Sequence, residues 1–421
     1  MRVGISWKWA AATALAGAMG AAAGAQLLPP LPAPPPVVGG TIGEVGRTTG
    51  QALGEVRATA GDLADQRVER LQALVRANPD SLEMTDLGPA VRGEVIALDP
   101  DSASLAAAEA AGFTRIAEER IEGLDLREVT LRVPRGWSVD RALARLRRIA
   151  PGGQFAANHL HGQSGAAGAA VAGAMALAQG QPAAPPAVGV IDGGVAAHPA
   201  LRGAVRQRGF AAGAPRPSAH ATAVASLIAG EGPVRGAAPG APLVVADVYG
   251  SDPAGGNALA LARALGWMTV LRVPVVAISL VGPANALVAR AVAEAQARGV
   301  RVVAAVGNDG PAAPPAYPAS YPGVIAVTGI DGRGRVLAEA GRASHLDYAA
   351  PGADMAAASP NGRIAAVRGT SFAVPFVAGR LALHVGSPQP IAALDAEATE
   401  RGRRGVGRGV ICGICRTPYR R

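Results

Sequence analysis

Residues 368–379 read R-G-T-S-F-A-V-P-F-V-A-G. Gly369 and Thr370 precede Ser371, and an apolar Ala/Val/Phe run follows it. That order predicts a tight turn opening a buried helix, with a hydroxyl at its first turn. Pro375 fits, because proline is tolerated near a helix start and not in its middle. A helix N-terminus presents free N–H groups and a positive dipole end. A serine placed there has donors beside it for an oxygen that becomes negative during acyl transfer. The plainest job for such a serine is to cap the helix, and two upstream stretches bear on the choice between cap and nucleophile.

Val188 to Val195 reads V-G-V-I-D-G-G-V. Four mostly apolar residues ending in Asp192 predict a buried parallel strand with a carboxylate at its C-terminal end, where open α/β sheets place their chemistry. On its own, Asp192 also suits a strand-end aspartate that caps the next turn. His220 to Gly230 reads H-A-T-A-V-A-S-L-I-A-G, a histidine opening a small-residue helix. Alone it suits a local hydrogen bond. Together, serine, histidine and aspartate supply a nucleophile, a general base and an orienting carboxylate.

These motifs resemble those of the subtilisin-like serine peptidases, the subtilases, in the chain order Asp192, His220, Ser371. The family pattern D-[ST]-G-[IV] is D-G-G-V here, followed by His198-Pro199-Ala200-Leu201, like the family's H-P-x-L. H-G-T-x-V-A is H-A-T-A-V-A here, and G-T-S-x-A-x-P-x-V-A-G matches at every fixed position. Ala305-Val306-Gly307-Asn308-Asp309-Gly310 resembles the family's oxyanion-hole segment. Four motifs in the right order are specific, whereas one alone is weak. The resemblance spans roughly Ala187 to Arg416. It implies that Ser371 attacks the scissile carbonyl, that His220 relays the proton, and that Asp192 orients the ring. Asn308 would donate to the oxyanion beside the Ser371 N–H. Taken alone, Asn308 is also a turn residue in strong turn sequence, N-D-G.

By the same resemblance, substrate binds as an added strand along Ser279-Leu280-Val281-Gly282-Pro283, with Ala305 to Gly307 as the other wall of the first pocket. Glycine is usual where Val281 stands, so a narrowed pocket and small or medium residues before the cut are expected. Ala221 replaces the glycine after the histidine, and Gly193 replaces a hydroxyl residue after the aspartate. Neither removes a catalytic atom, and both could lower activity.

Apolar runs separated by helical patterns across residues 187–416 predict a parallel sheet with helices on both faces. Strands are expected at 188–191, 243–248, 274–280, 300–306 and 324–330, and helices at 257–269 and 284–298. Upstream, residues 86–161 carry a β-α-β-α-β pattern that resembles the family's inhibitory propeptides, a small α+β, ferredoxin-like unit. Such a unit would lay its C-terminal strand in the cleft as an intramolecular inhibitor, with cleavage between Ala157 and Pro186. Residues 162–186 read as a Gly/Ala- and then Pro-rich linker. Residues 50–77 have helical periodicity and no assignable chemistry; with the Pro-rich tether before them they make up segment 26–85.

Met1 to Ala25 reads as a secretory signal peptide: Arg2 and Lys8, then a small-residue apolar core, then Ala23-Gly24-Ala25. No later stretch is long and apolar enough to cross a bilayer, so a secreted or periplasmic protein is expected. A chain of 421 residues can hold two domains plus linkers. Net charge is +9, but the arginines are scattered, aromatics make up 3 % and no nucleic-acid motif is present. Most of the charge therefore reads as solvated surface, with protein or peptide substrates, no nucleic-acid partner and a monomer expected. Cys412 and Cys415, the only cysteines, are expected to form a local disulfide in the tail. No acidic cluster has calcium-loop spacing, so no cofactor is called for and calcium dependence stays open. Two other readings remain: a catalytically weakened subtilase-fold binding protein, and an arginine-rich nucleic-acid binder.

Overall fold

The computed structural model describes residues 62–164, 166–167 and 187–419. The signal peptide, the Pro-rich tether and most of the linker, residues 168–186, lie outside the described residues.

Helix α1 covers residues 62–77. The unit after it runs β1 (Leu82–Thr85), β2 (Gly88–Leu98), α2 (Ser102–Ala110), β3 (Thr114–Arg120), β4 (Arg127–Arg132), α3 (Val139–Ile149) and β5 (Gln154–His159). Its sheet is antiparallel, with β5-β2-β4-β3 as neighbours and β1 hairpinned to the start of β2. That is the ferredoxin-like order. Asp101 and Ser138 cap α2 and α3 through their side chains, as their sequence positions favour. Val139, Ala142, Leu143 and Leu146 recur on the inner face of α3 and pack with Val95, Leu105 and Leu131 into a core of their own. β1 and β3 are additions to the sequence reading. β3 is T-R-I-A-E-E-R, mostly exposed, and is held by its pairing to β4 with no apolar stripe to announce it.

Two short strands follow, β6 (Gly162–Gln163) and β7 (Ala166–Ala167), and then the larger domain. It contains β8 (Val188–Asp192), β9 (Val205–Gly209), α4 (Ala219–Ala229), β10 (Leu243–Asp247), α5 (Ala258–Val270), β11 (Val275–Ile278), β12 (Leu280–Val281), α6 (Ala286–Ala297), β13 (Arg301–Ala305) and β14 (Ile325–Ile330). It closes with β15 (Tyr348–Pro351), the hairpin β16 (Met355–Ala358) and β17 (Ile364–Arg368), α7 (Val374–Leu383) and α8 (Pro390–Glu397). Seven strands form one parallel sheet in the order β9-β10-β8-β11-β13-β14-β15.

The sheet's central strands are buried along their length, which is why they read as continuous apolar runs. α4 and α7 cover one face. α5 and α6 cover the other, and the outer face of the ferredoxin-like sheet packs onto them through Ile96, Leu98, Leu126 and Ala156. The strand order turns back on itself at β8 and β11, so the crevice at their C-terminal ends is the natural ligand position for this architecture. β9, V-R-Q-R-G, was not foreseen. It is an edge strand of half-buried and exposed residues with arginines at alternate positions. At the C-terminus, Cys412 and Cys415 form the expected disulfide.

Candidate active site

Asp192 ends β8 at that crevice and is fully buried. Its Oδ2 lies 2.7 Å from His220 Nδ1. A carboxylate only accepts, so Nδ1 carries the proton and Nε2, itself buried, is left as the acceptor. Oδ1 accepts from the Gly193 N–H at 2.7 Å and from Gln163 Nε2 at 2.8 Å. His220 is held by α4, whose N-cap Ser218 accepts from the Ala221 N–H. Ala221 is itself fully buried in the core on that face.

Ser371 sits in a single 3-10 turn, Thr370–Phe372, just before α7, with Pro375 in the first turn of that helix. It does not cap the helix. Its Oγ stands 2.6 Å from Ser164 Oγ and 3.3 Å from the Ser279 carbonyl oxygen. Phe372 brings its ring to 5.1 Å from the His220 ring. The structure therefore gathers the aspartate and histidine into a direct pair and places the serine in the neighbouring turn. No hydrogen bond joins Ser371 to His220, and among the described residues His220 Nε2 has no partner.

Asn308 follows β13. Its Oδ1 accepts from the Thr370 N–H at 2.9 Å, which fixes the orientation of the carboxamide. The NH2 group is consequently left over, buried and without a partner among the described residues.

The strand beside Ser279 is occupied by the chain's own residues. β6 pairs antiparallel with β12, Gln163 opposite Leu280 and Gly162 opposite Val281. The Ser164 N–H reaches the Ser279 carbonyl at 3.2 Å, and the Ser371 N–H donates to the Ser164 carbonyl at 3.1 Å. On the far side, β7 pairs with Val367 and Arg368 of β17. The start of the stretch read as an exposed linker is thus laid across the crevice on both sides of Ser371. Sequence could not separate Gly162-Gln163-Ser164 from the small-residue stretch that follows it. Only the tertiary pairing does so.

Leu280 and Ala305 are fully buried, and Gly282 bridges to Tyr317. Gly307 adopts φ +88°, and a Cβ there would touch Val281 Cγ1 at 3.6 Å and Ala316 Cβ at 3.7 Å. Val281 and Ala316 thus stand close to the bare backbone of Gly307.

Next to Asn308, Asp309 accepts from two arginines of α1, Arg67 at 3.1 Å and Arg70 at 2.5 Å. His161 stacks on the bare backbone of Gly282, where a Cβ would come within 2.5 Å of its ring. Burial pushes both His159 and His161 down to about 4. Among the described residues, no group of three or more His, Cys, Asp or Glu side chains is gathered for a metal, and no helix is long and apolar enough to cross a membrane.

An aspartate-paired histidine with an unpartnered Nε2, and a serine in the turn before α7, at the crevice of a parallel sheet, are the residue set of a serine hydrolase. Residues 183–391 match the peptidase S8 subtilase family. Subtilisin BL of Lederbergia lenta is 36 % identical over 205 residues, covering 47 % of this chain and 74 % of that protein. Subtilisin E of Bacillus subtilis (strain 168) is 33 % identical over 211 residues, 47 % of this chain and 54 % of that protein. Among solved structures, fervidolysin from Fervidobacterium pennivorans, a keratinolytic enzyme related to subtilisin, superposes with a TM-score of 0.62 at 19 % identity. That match covers 79 % of this chain and 62 % of that one, and it speaks to fold alone. The chain belongs to the subtilase family and is a serine endopeptidase.

Proposed function

We propose that this endopeptidase is made as a self-processed, exported zymogen and that Ser371, His220 and Asp192 form its catalytic triad. Ser371 Oγ attacks the carbonyl carbon, Nε2 of His220 takes the hydroxyl proton and hands it to the leaving amine, and Asp192 holds Nδ1 and steadies the imidazolium. The Ser371 N–H and the free NH2 of Asn308 receive the oxyanion. Residues 82–164 are the intramolecular inhibitor, and Ser164 precedes the first bond cut. Small residues are preferred at that position because Val281 fills the slot behind it. Protein and peptide chains are the substrates, and the compartment is periplasmic or extracellular.

The observation that carries this reading is the Ser164 carbonyl on the Ser371 N–H, with strand pairing continuing on either side. A peptide bound for cleavage would take the same pose. The Gly-Ala-rich sequence after Ser164 suits an exposed cleavage region. A subtilase fold kept only for binding is the competing reading, motivated by Ala221 and Gly193. Mass spectrometry of wild-type and Ser371→Ala chains separates the two. A wild-type product beginning at Gly165, absent from the variant, supports the zymogen. An intact wild-type chain that also resists labelling by a fluorophosphonate rules it out.

A further inference from the structure

Gln163 reaches the catalytic carboxylate itself. Its Nε2 donates to Asp192 Oδ1 at 2.8 Å, although Asp192 is fully buried behind His220. Residue 193, next to Asp192, is glycine and carries no hydroxyl of its own to offer Oδ1. A Cβ there would sit 3.7 Å from Gln163 Nε2 and only 2.6 Å from Ser218 Oγ. With no side chain at 193, Oδ1 keeps one further donor from the protein, the Gly193 N–H at 2.7 Å. The remaining acceptor capacity of a buried anion is met by an incoming amide.

We propose that the subsite immediately before the small residue at the cut is a carboxamide site. The enzyme prefers peptides with glutamine there, because the side-chain N–H completes the hydrogen bonding of Asp192. This rests on the reading that Ser371 cuts peptides in the register that Gly162 to Ser164 adopt. The chemistry discriminates sharply among side chains of similar length. Glutamine reaches and donates. Methionine reaches and cannot donate. Glutamate brings a second negative charge against a buried carboxylate. Asparagine donates but is one methylene short. A hydrogen bond to a charged acceptor has a net effect of roughly ten- to hundredfold in an equilibrium or rate ratio.

The test uses the processed wild-type enzyme and a peptide set Ala-Gly-Xaa-Ser-Gly-Ala with Xaa as Gln, Asn, Met or Glu, carrying a fluorophore and quencher at the ends. The expected order of kcat/KM is Gln first, Asn and Met at least about tenfold lower, and Glu last. In the full-length chain, Gln163→Met and Gln163→Glu should slow release of the product beginning at Gly165 in the same order. Peptides in trans leave the protein unaltered, so a misfolded Gln163 variant does not blunt the test. Ser371-dependent cleavage with Gln and Met equal, or Met preferred, overturns the carboxamide site and leaves the triad standing. Peptide cleavage that persists undiminished in Ser371→Ala overturns both.

Discussion

Ser164 Oγ stands 2.6 Å from Ser371 Oγ, so the hydroxyl proposed as nucleophile is bonded to the segment lying across it and not to His220. Either oxygen can be the donor; where Ser164 donates, the Ser371 hydroxyl still has the Ser279 carbonyl 3.3 Å away. In this state the nucleophile–base contact is not made, and His220 Nε2 has no partner among the described residues. The same residue offers its carbonyl to the Ser371 N–H.

We expect the residues around Gly307 to limit side-chain size at 164. Val281 and Ala316 close on Gly307 within 3.6 to 3.7 Å of where a Cβ would lie. A serine is expected to fit there and an aromatic ring is not. Ser164→Phe should slow self-processing by at least about tenfold, since overpacking a closed site costs on the order of 1–3 kcal/mol. Val281→Gly in the same chain should restore it. A time course by mass spectrometry reads both. Full-speed processing of Ser164→Phe with Val281 in place would show that the slot does not set the residue before the cut.

Asn308 allows donor and acceptor to be tested apart. Asn308→Asp keeps the oxygen that receives the Thr370 N–H and removes the NH2 group. With the loop still held, kcat should fall by roughly a hundredfold or more while KM stays near its wild-type value. Peptidase assays on the processed variant, with its melting temperature as a folding control, check this. A kcat within a few-fold of wild type would assign Asn308 to the turn alone.

Much of this was readable from residues because the parallel sheet buries its strands on both faces. Val188–Asp192 and Leu243–Asp247 show as apolar runs, and Asp192 stands out because it ends one of them. The helices expected at 257–269 and 284–298 form at 258–270 and 286–297, and Asn257 and Asn285 cap their N-termini. What stayed hidden shares a physical cause. β3 and β9 are edge strands whose pairing, not side-chain burial, makes them strands. Gln163 and Ser164 look like linker because their partners, Asp192 and Ser371, are 29 and 207 residues away. The arginines that grip Asp309 are two among many in an arginine-rich chain.

Those arginines give the helix before the ferredoxin-like unit a place. Arg67 and Arg70 of α1 both reach Asp309, the neighbour of Asn308. All three side chains are partly exposed, so each pair adds little, on the order of 1 kcal/mol or less, and is screened by salt. Asp309→Asn should leave the sheet intact while raising amide exchange across residues 62–77. Added salt should do the same to the wild-type chain. Unchanged protection of that helix in Asp309→Asn would mean that apolar contacts such as that of Leu63 hold it instead.

The seam between the two units carries buried groups of opposite pH preference. His159 and His161 are pushed down to about 4 by burial, so the packed state resists their protonation. His159 is bonded to Thr85 and Asn285, whereas neither ring nitrogen of His161 has a partner among the described residues. Above pH 6.5 both rings are neutral whether packed or free, and they impose no pH-dependent penalty. As pH falls from about 6.5 to 4, the free state takes up protons that the packed state refuses, and stability is lost. Glu128 runs the other way. Burial pushes it up to about 7, with Arg263 of α5 4.0 Å away. Its contribution is full below about 4.5 and is lost as pH rises through 7. In a Ser371→Ala chain, which stays uncut, His161→Leu should flatten the acid decline in melting temperature. Glu128→Gln should raise the melting temperature at pH 8 and leave it nearly unchanged at pH 4.5. Parallel shifts of either variant at all pH values would mean that these side chains act through packing and not through their protons.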